Sequence, residues 1–148
     1  MDAEHEVMVS PRLTKYYIDK RMSIEIDSLG ITPSCGPFLV AIGRNEGISP
    51  TDLSKVMFVD KSLTTRNVKQ LSDKGYVVNV GDNSRRYSLK LTESGEAAMK
   101  KIDATMKMVA DDLMSTLTDE EREVFIMAIT KICSKITSDI NECCRSED

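Results

Sequence analysis

The chain has 148 residues, 41% hydrophobic and 30% charged, with a net charge of −4. That length suits one domain, or a small domain with extra helices built around it, and the balance excludes a disordered chain. Apolar runs such as Phe38 to Ile42 are too short to span a bilayer, and the acidic start Met1 to Glu6 lacks a signal-peptide core, so a cytoplasmic protein with no membrane partner is expected.

Residues 1–9 read as a mobile start. From Ser10 or Pro11 a helix carries Leu13, Tyr16, Tyr17 and Ile24 along one stripe, and Gly30 ends it. A second helix begins near Thr32-Pro33-Ser34 and carries Phe38, Leu39, Val40 and Ile42. Either Ser34 caps it, leaving Pro37 in the first turn, or the helix bends at Pro37. Asn45-Glu46-Gly47 closes it. Ser49 then caps a short helix, Pro50 to Met57, and after Phe58-Val59 a second cap, Asp60, opens a helix from Lys61 to Lys74. Gly75 stops that helix, Tyr76 to Val80 forms a strand, and Gly81-Asp82-Asn83-Ser84 supplies turn chemistry. Arg85-Arg86 opens a return strand that ends at Leu91.

Beyond Thr92 the pattern is helical again, with Met99, Ile102, Met106, Val109, Leu113 and Leu117 recurring at three- and four-residue steps. Thr118 and Glu121 form a capping box for a last helix, whose apolar side holds Phe125, Ile126, Ile129, Ile132, Cys133, Ile136 and Ile140. The fold expected is mainly α with a small β-hairpin wing (α+β). A winged helix-turn-helix occupies 32–92, with terminal helices at 10–30 and 93–144. The small head cannot cover the apolar stripes of those helices, which predicts a homodimer with the terminal helices at its interface. An intramolecular bundle is the alternative.

Helix, turn, helix and basic hairpin make a shape that fits duplex DNA. The net charge opposes this until it is divided along the chain. From Arg44 to Lys90 there are nine basic and five acidic residues, against eleven and nineteen elsewhere. Phosphate attraction follows local potential, so the segregation matters more than the sum. On the helix from Lys61 to Lys74, Ser62, Thr65, Arg66 and Lys69 share one face, while Thr64, Val68 and Leu71 lie opposite. Hydroxyls near the helix start and the Arg66 guanidinium can reach phosphates or base edges. The candidate DNA-binding set is Lys61, Ser62, Thr64, Thr65, Arg66, Lys69, Arg85 and Arg86. From the hairpin, an arginine can enter the minor groove, with Asp82 holding its direction.

At these residues the chain resembles the MarR family (multiple antibiotic resistance regulators). Asp60 to Leu71 follows the family's D-K-S-T-V-T-R-L-V-x-x-L, Leu89 to Gly95 its V-x-L-T-x-x-G, and Leu29 to Pro33 its L-G-I/L-T-P. The likeness extends from about residue 11 to 140, making 1–148 a single domain of that kind. It departs in a hairpin about two residues shorter than usual, in Leu63 and Asn67, and in Pro37 near the expected effector cleft.

The resemblance implies a homodimeric repressor of transcription, or less often an activator, on a palindromic operator. Release would follow when a small lipophilic effector, such as a phenolic anion, enters a cleft between head and dimer region. Tyr16, Tyr17, Arg21 and Phe38 are the effector-binding candidates by analogy. The alternatives are a protein-docking winged helix and a redox-sensing regulator using Cys35, in the first turn of the second helix, or Cys143-Cys144. No enzyme motif is present, and the four cysteines and single histidine, His5, lack a metal-ligand spacing, so neither catalysis, metal nor cofactor is expected.

Overall fold

The computed structural model describes residues 3–82 and 87–145, with side chains described for 10–82 and 87–142. Six helices and one antiparallel hairpin follow in the order α1 (Ala3–Ser28), α2 (Cys35–Arg44), α3 (Pro50–Met57), α4 (Lys61–Asp73), β1 (Val77–Asn79), β2 (Leu89–Leu91), α5 (Glu93–Met114) and α6 (Asp119–Arg145). The expected α+β class with a small hairpin is what forms. No described helix is long and apolar enough to cross a membrane.

The first helix departs from expectation. It begins at Ala3 and runs through Pro11, so 3–9 is helical backbone and not a mobile start. Ala3, Glu4, Glu6 and Met8 are good helix formers, and one proline removes a single ladder bond without ending so long a helix. In α2, Ser34 stands at the cap position in helical geometry and makes no side-chain cap bond. Pro37 is the third residue of α2, where its missing N–H deprives no carbonyl within the helix.

The chain divides into two compact units, residues 1–109 and 110–148. In the first, one core joins Met22 and Ile26 of α1, and Leu29 just beyond it, to Phe38, Leu39 and Ile42 of α2. Leu53, Leu71, Val77, Leu89 and Ile102 complete it from the following elements. The second unit holds the Thr118 capping box as the spacing predicts. Thr118 N donates to Glu121 Oε2 at 2.9 Å, and Glu121 N returns a bond to Thr118 Oγ1 at 3.3 Å. The α6 residues Phe125, Ile126, Ile129, Ile132 and Ile136 are 40–53% exposed in the single chain.

Where β2 leads into α5, the backbone is locked. Thr92 N donates to Tyr76 O at 3.0 Å, and the hydroxyls of Thr92 and Ser94 both donate to Gly75 O, at 2.6 and 3.0 Å. Gly75 adopts a φ of +76°, which turns the chain out of α4. A Cβ on Gly95 would lie 2.0 Å from Tyr76 O, a backbone atom that cannot swing aside. The glycine of the L-T-x-x-G stretch is therefore a requirement of close approach. Gly95→Ala should lower stability by about 1–3 kcal/mol despite alanine's better helix propensity, read as a lower urea midpoint at unchanged slope.

Candidate nucleic-acid interface

The interface begins with two caps. Ser49, in extended geometry, accepts from Asp52 N at 3.1 Å and starts α3 with Pro50 in the first turn. Phe58 ends α3 with a φ of 54°, a left-handed conformation uncommon for a side chain of that size. Two residues on, Asp60 accepts from Leu63 N at 2.8 Å and from Ser62 Oγ at 2.7 Å, starting α4.

Two polar seams, buried on the α3 side and partly buried on the α2 side, then fix the roll of α4. On the α3 side, Ser54 Oγ donates to Thr64 Oγ1 at 2.9 Å, and Thr64 donates on to Asp60 O at 3.1 Å. On the α2 side, Asn67 Oδ1 accepts from Ser34 Oγ at 2.8 Å and from Cys35 Sγ at 3.1 Å. Asn67 Nδ2 closes the set on Leu63 O at 3.1 Å, and Gln70 Oε1 accepts from Thr32 Oγ1 at 2.8 Å and shares the single Cys35 S–H with Asn67 Oδ1, 2.6 Å from the sulfur. Ser34 gives its hydroxyl to α4, which is why it leaves α2 without a side-chain cap.

Thr64 is a correction. Offered above as a DNA contact, it is 1% exposed, with its hydroxyl committed to the α3 seam. Asn67, at a position where the resembled pattern has an apolar residue, is buried and hydrogen-bonded through both its amide oxygen and its amide nitrogen. Leu63 is half-buried. Cys35 is fully buried and serves as a donor between α2 and α4, a setting that denies an oxidant access. The side chains of Cys143 and Cys144 lie outside the described residues.

With α4 so held, Lys61, Ser62, Thr65, Arg66 and Lys69 all face outward. Lys69 pairs with Asp73 at 2.9 Å in an exposed i,i+4 contact, weak enough to yield to a phosphate. Lys61 and Arg66 make no ion-pair contact among the described residues, though Asp60 feels the Arg66 charge. A groove of about 790 Å³ runs beside this row, lined by Ser49, Thr51, Thr65, Lys69, Ser72 and Tyr87 among others.

Arg85 and Arg86 lie outside the described residues, and so does any pairing of Asp82 with them. Asp82 itself is exposed. The neck of the hairpin is braced by Asn79, whose Oδ1 accepts from Gly81 N at 3.0 Å and Ser88 N at 2.9 Å. Sequence reading passed over this residue, although an asparagine two positions before a glycine turn carried the signal.

A separate cavity of about 450 Å³ lies in the first unit. Its apolar walls come from Ile18, Met22 and Ile26 of α1, Pro37 and Val40 of α2, and Ile102 of α5, with Asp19, Arg44 and Asp103 also lining it. None of Tyr16, Tyr17, Arg21 and Phe38 is among its lining residues. Phe38 is 3% exposed in the core. Tyr16 is exposed on α1. Arg21 donates to Tyr17 Oη, its guanidinium carbon 5.5 Å from the ring centroid. The α1 residues one step further along the helix turn inward instead, a choice that periodicity alone left open. Pro37 does line this cavity.

Residues 29–86 match the MarR family. A protein assigned to transcriptional regulation of the hcr operon in Thauera aromatica is 33% identical over 107 residues, 70% of this chain and 63% of that relative's length. A MarR transcriptional regulator from Methanosarcina mazei Go1 is similar in structure, with a TM-score of 0.80, 25% identity and 91% of each chain covered. A MarR-family protein of Listeria monocytogenes in complex with a 26mer DNA is 22% identical, with a TM-score of 0.78 over 94% of this chain and 91% of that one.

The Asp60 cap makes a pH-dependent prediction. The Leu63 N–H bond, then the Ser62 hydroxyl bond, hold the Asp60 carboxyl below its ordinary value of 3.8. A depressed folded value means the cap contributes fully above that ordinary value and is lost as pH falls through the lowered one. The Leu63 amide resonance should therefore titrate with a midpoint below 3.8, and in Asp60→Asn the same step should vanish.

Proposed function

Since the chain belongs to the MarR family of transcriptional regulators, we propose that it is a sequence-specific, duplex-DNA-binding repressor. It acts in the cytoplasm as a homodimer on a palindromic operator and is released by a small lipophilic effector. The observation that carries the DNA reading is the outward row Ser62, Thr65, Arg66 and Lys69 on α4, held in one orientation by the two polar seams. Arg66 is the side chain able to reach two acceptors on a guanine edge, and Lys69 suits a phosphate. Arg85 and Arg86 extend this set from the wing on sequence grounds. The DNA complex of the Listeria relative supports the same use of the shared fold.

Dimerisation is supported by apolar side chains that one chain leaves in water. The stripe from Phe125 to Ile136 on α6, with Leu13 and Ile24 on α1, is 40–82% exposed, and covering the exposed part of each contributes on the order of 1 kcal/mol. The cavity, an open-sided cleft between α1, α2 and α5, is the effector site in this reading, with its first turn of α2 tied directly to α4 through Ser34 and Cys35.

The test is a titration against the upstream region of the chain's own gene, with random duplex as competitor and salt varied. Specific binding with two chains per site is expected. Arg66→Ala should weaken specific affinity by about 1–3 kcal/mol and relax base preference, whereas Lys69→Ala should reduce the salt slope by about one unit. Absence of binding to any duplex at low salt would overturn the reading in favour of a protein-docking winged helix. Separately, Ile132→Glu should shift the species seen by analytical ultracentrifugation from dimer toward monomer; a wild-type chain that sediments as a monomer at tens of micromolar would refute the dimer.

A further inference from the structure

The charge around the cavity selects its ligand, an inference that rests on reading the cavity as the effector site. The resemblance pointed to a phenolic anion, and three features of this chain oppose one. Asp19 and Asp103 both line the cavity. The basic lining residue, Arg44, is in an exposed pair with Asp103 Oδ1 at 3.1 Å, which leaves two carboxylates against one guanidinium along the wall. A helix start ordinarily offers anions its free N–H groups, yet the first turn of α2 offers few. Pro37 has no N–H, and Cys35 N is already bonded to Thr32 O at 2.9 Å.

A positive charge meets the reverse situation. Asp19 is paired with Lys15 at 2.6 Å in an exposed i,i+4 contact, a weak pairing that an incoming ammonium can replace. Asp103 is bonded through Oδ1, and its second oxygen has no partner among the described residues. The geometry points to a hydrophobic amine, an apolar ring system bearing a protonated nitrogen. Its nitrogen lies against the lining carboxylates, Asp19 or Asp103, and its skeleton on Met22, Ile26, Val40 and Ile102.

The experiment compares three probes sharing one apolar skeleton, 2-naphthylmethylammonium, 2-naphthylmethanol and 2-naphthoate. Binding to the full chain is measured by calorimetry at fixed ionic strength, without DNA. The ammonium should bind about tenfold or more tighter than the naphthoate, with the alcohol between them. In Asp19→Asn/Asp103→Asn the ammonium should lose its advantage over the alcohol, whose own affinity stays unchanged, and the naphthoate should gain as Arg44 is freed. Asp19→Asn alone, on an exposed helix position, should give part of the same loss and guards against a double variant that does not fold.

Equal or tighter binding of the naphthoate, a preference indifferent to both variants, or no binding of any probe at millimolar concentration would overturn the proposal. Because DNA is absent, failure here is distinct from failure of the regulator reading. Charge selection without operator release would sink the regulator's effector switch and leave the ligand class standing. An operator released by the naphthoate alone would do the opposite.

Discussion

The orientation of α4 about its own axis is the constraint on which the rest of the reading head depends. Apolar contact through Val68 and Leu71 gives attraction without direction, and a helix held by that alone can roll or slide. Hydrogen bonds made out of water do not allow it, because a buried polar group left unpaired costs about 1–3 kcal/mol. Thr64 is tied to Ser54 on one side and Asn67 to Ser34 and Cys35 on the other, so one roll angle satisfies both. That angle turns Arg66 and Lys69 to solvent. The polar residues within the fold thus decide which polar residues remain outside it.

Much of this architecture was legible because its signals are local. A cap, a glycine stop and a capping box act within four residues, and Ser49, Asp60, Gly75 and Thr118 each do in the structure what their spacing announces. The outward row on α4 was legible for the same reason, since helical periodicity assigns a face without knowing what lies across from it. What escaped depends on distant partners. The use of Asn67 needs Ser34 and Cys35, more than thirty positions earlier. Thr64 sits at helical spacing from Val68 and Leu71, so its burial was readable, but a hydroxyl near a helix start was equally consistent with a contact to DNA. Phe38 and Tyr16 were aromatic residues on amphipathic helices, and only packing decides that one fills the core and the other faces water. For α1, a proline near the apparent start outweighed the helix-forming residues before it.

The helix α2 shows how few residues are needed to give a common fold its own behaviour. One side supplies Phe38, Leu39 and Ile42 to the core, another supplies Pro37 and Val40 to the cavity, and the residues at its start are bonded to α4. Two of the departures from the resembled pattern fall on these last two surfaces: Pro37 at the cavity, and Asn67 on the facing helix. Neither disturbs the core. Both act where a ligand, or the helix beside DNA, would register the difference.

The joint between Gly75 and Gly95 has a mechanical consequence. Two hydroxyls converge on the Gly75 carbonyl, a backbone pair links Thr92 to Tyr76, and the α5 backbone approaches Tyr76 so closely that no Cβ fits. Tyr76 is in turn anchored to Leu29 O through its phenol at 2.9 Å. Such a joint has no slack in which to absorb a tilt. A tilt of the first turns of α5 would have to break these bonds or press on Tyr76 O, so the start of α5, β1 and the end of α4 are held as one piece.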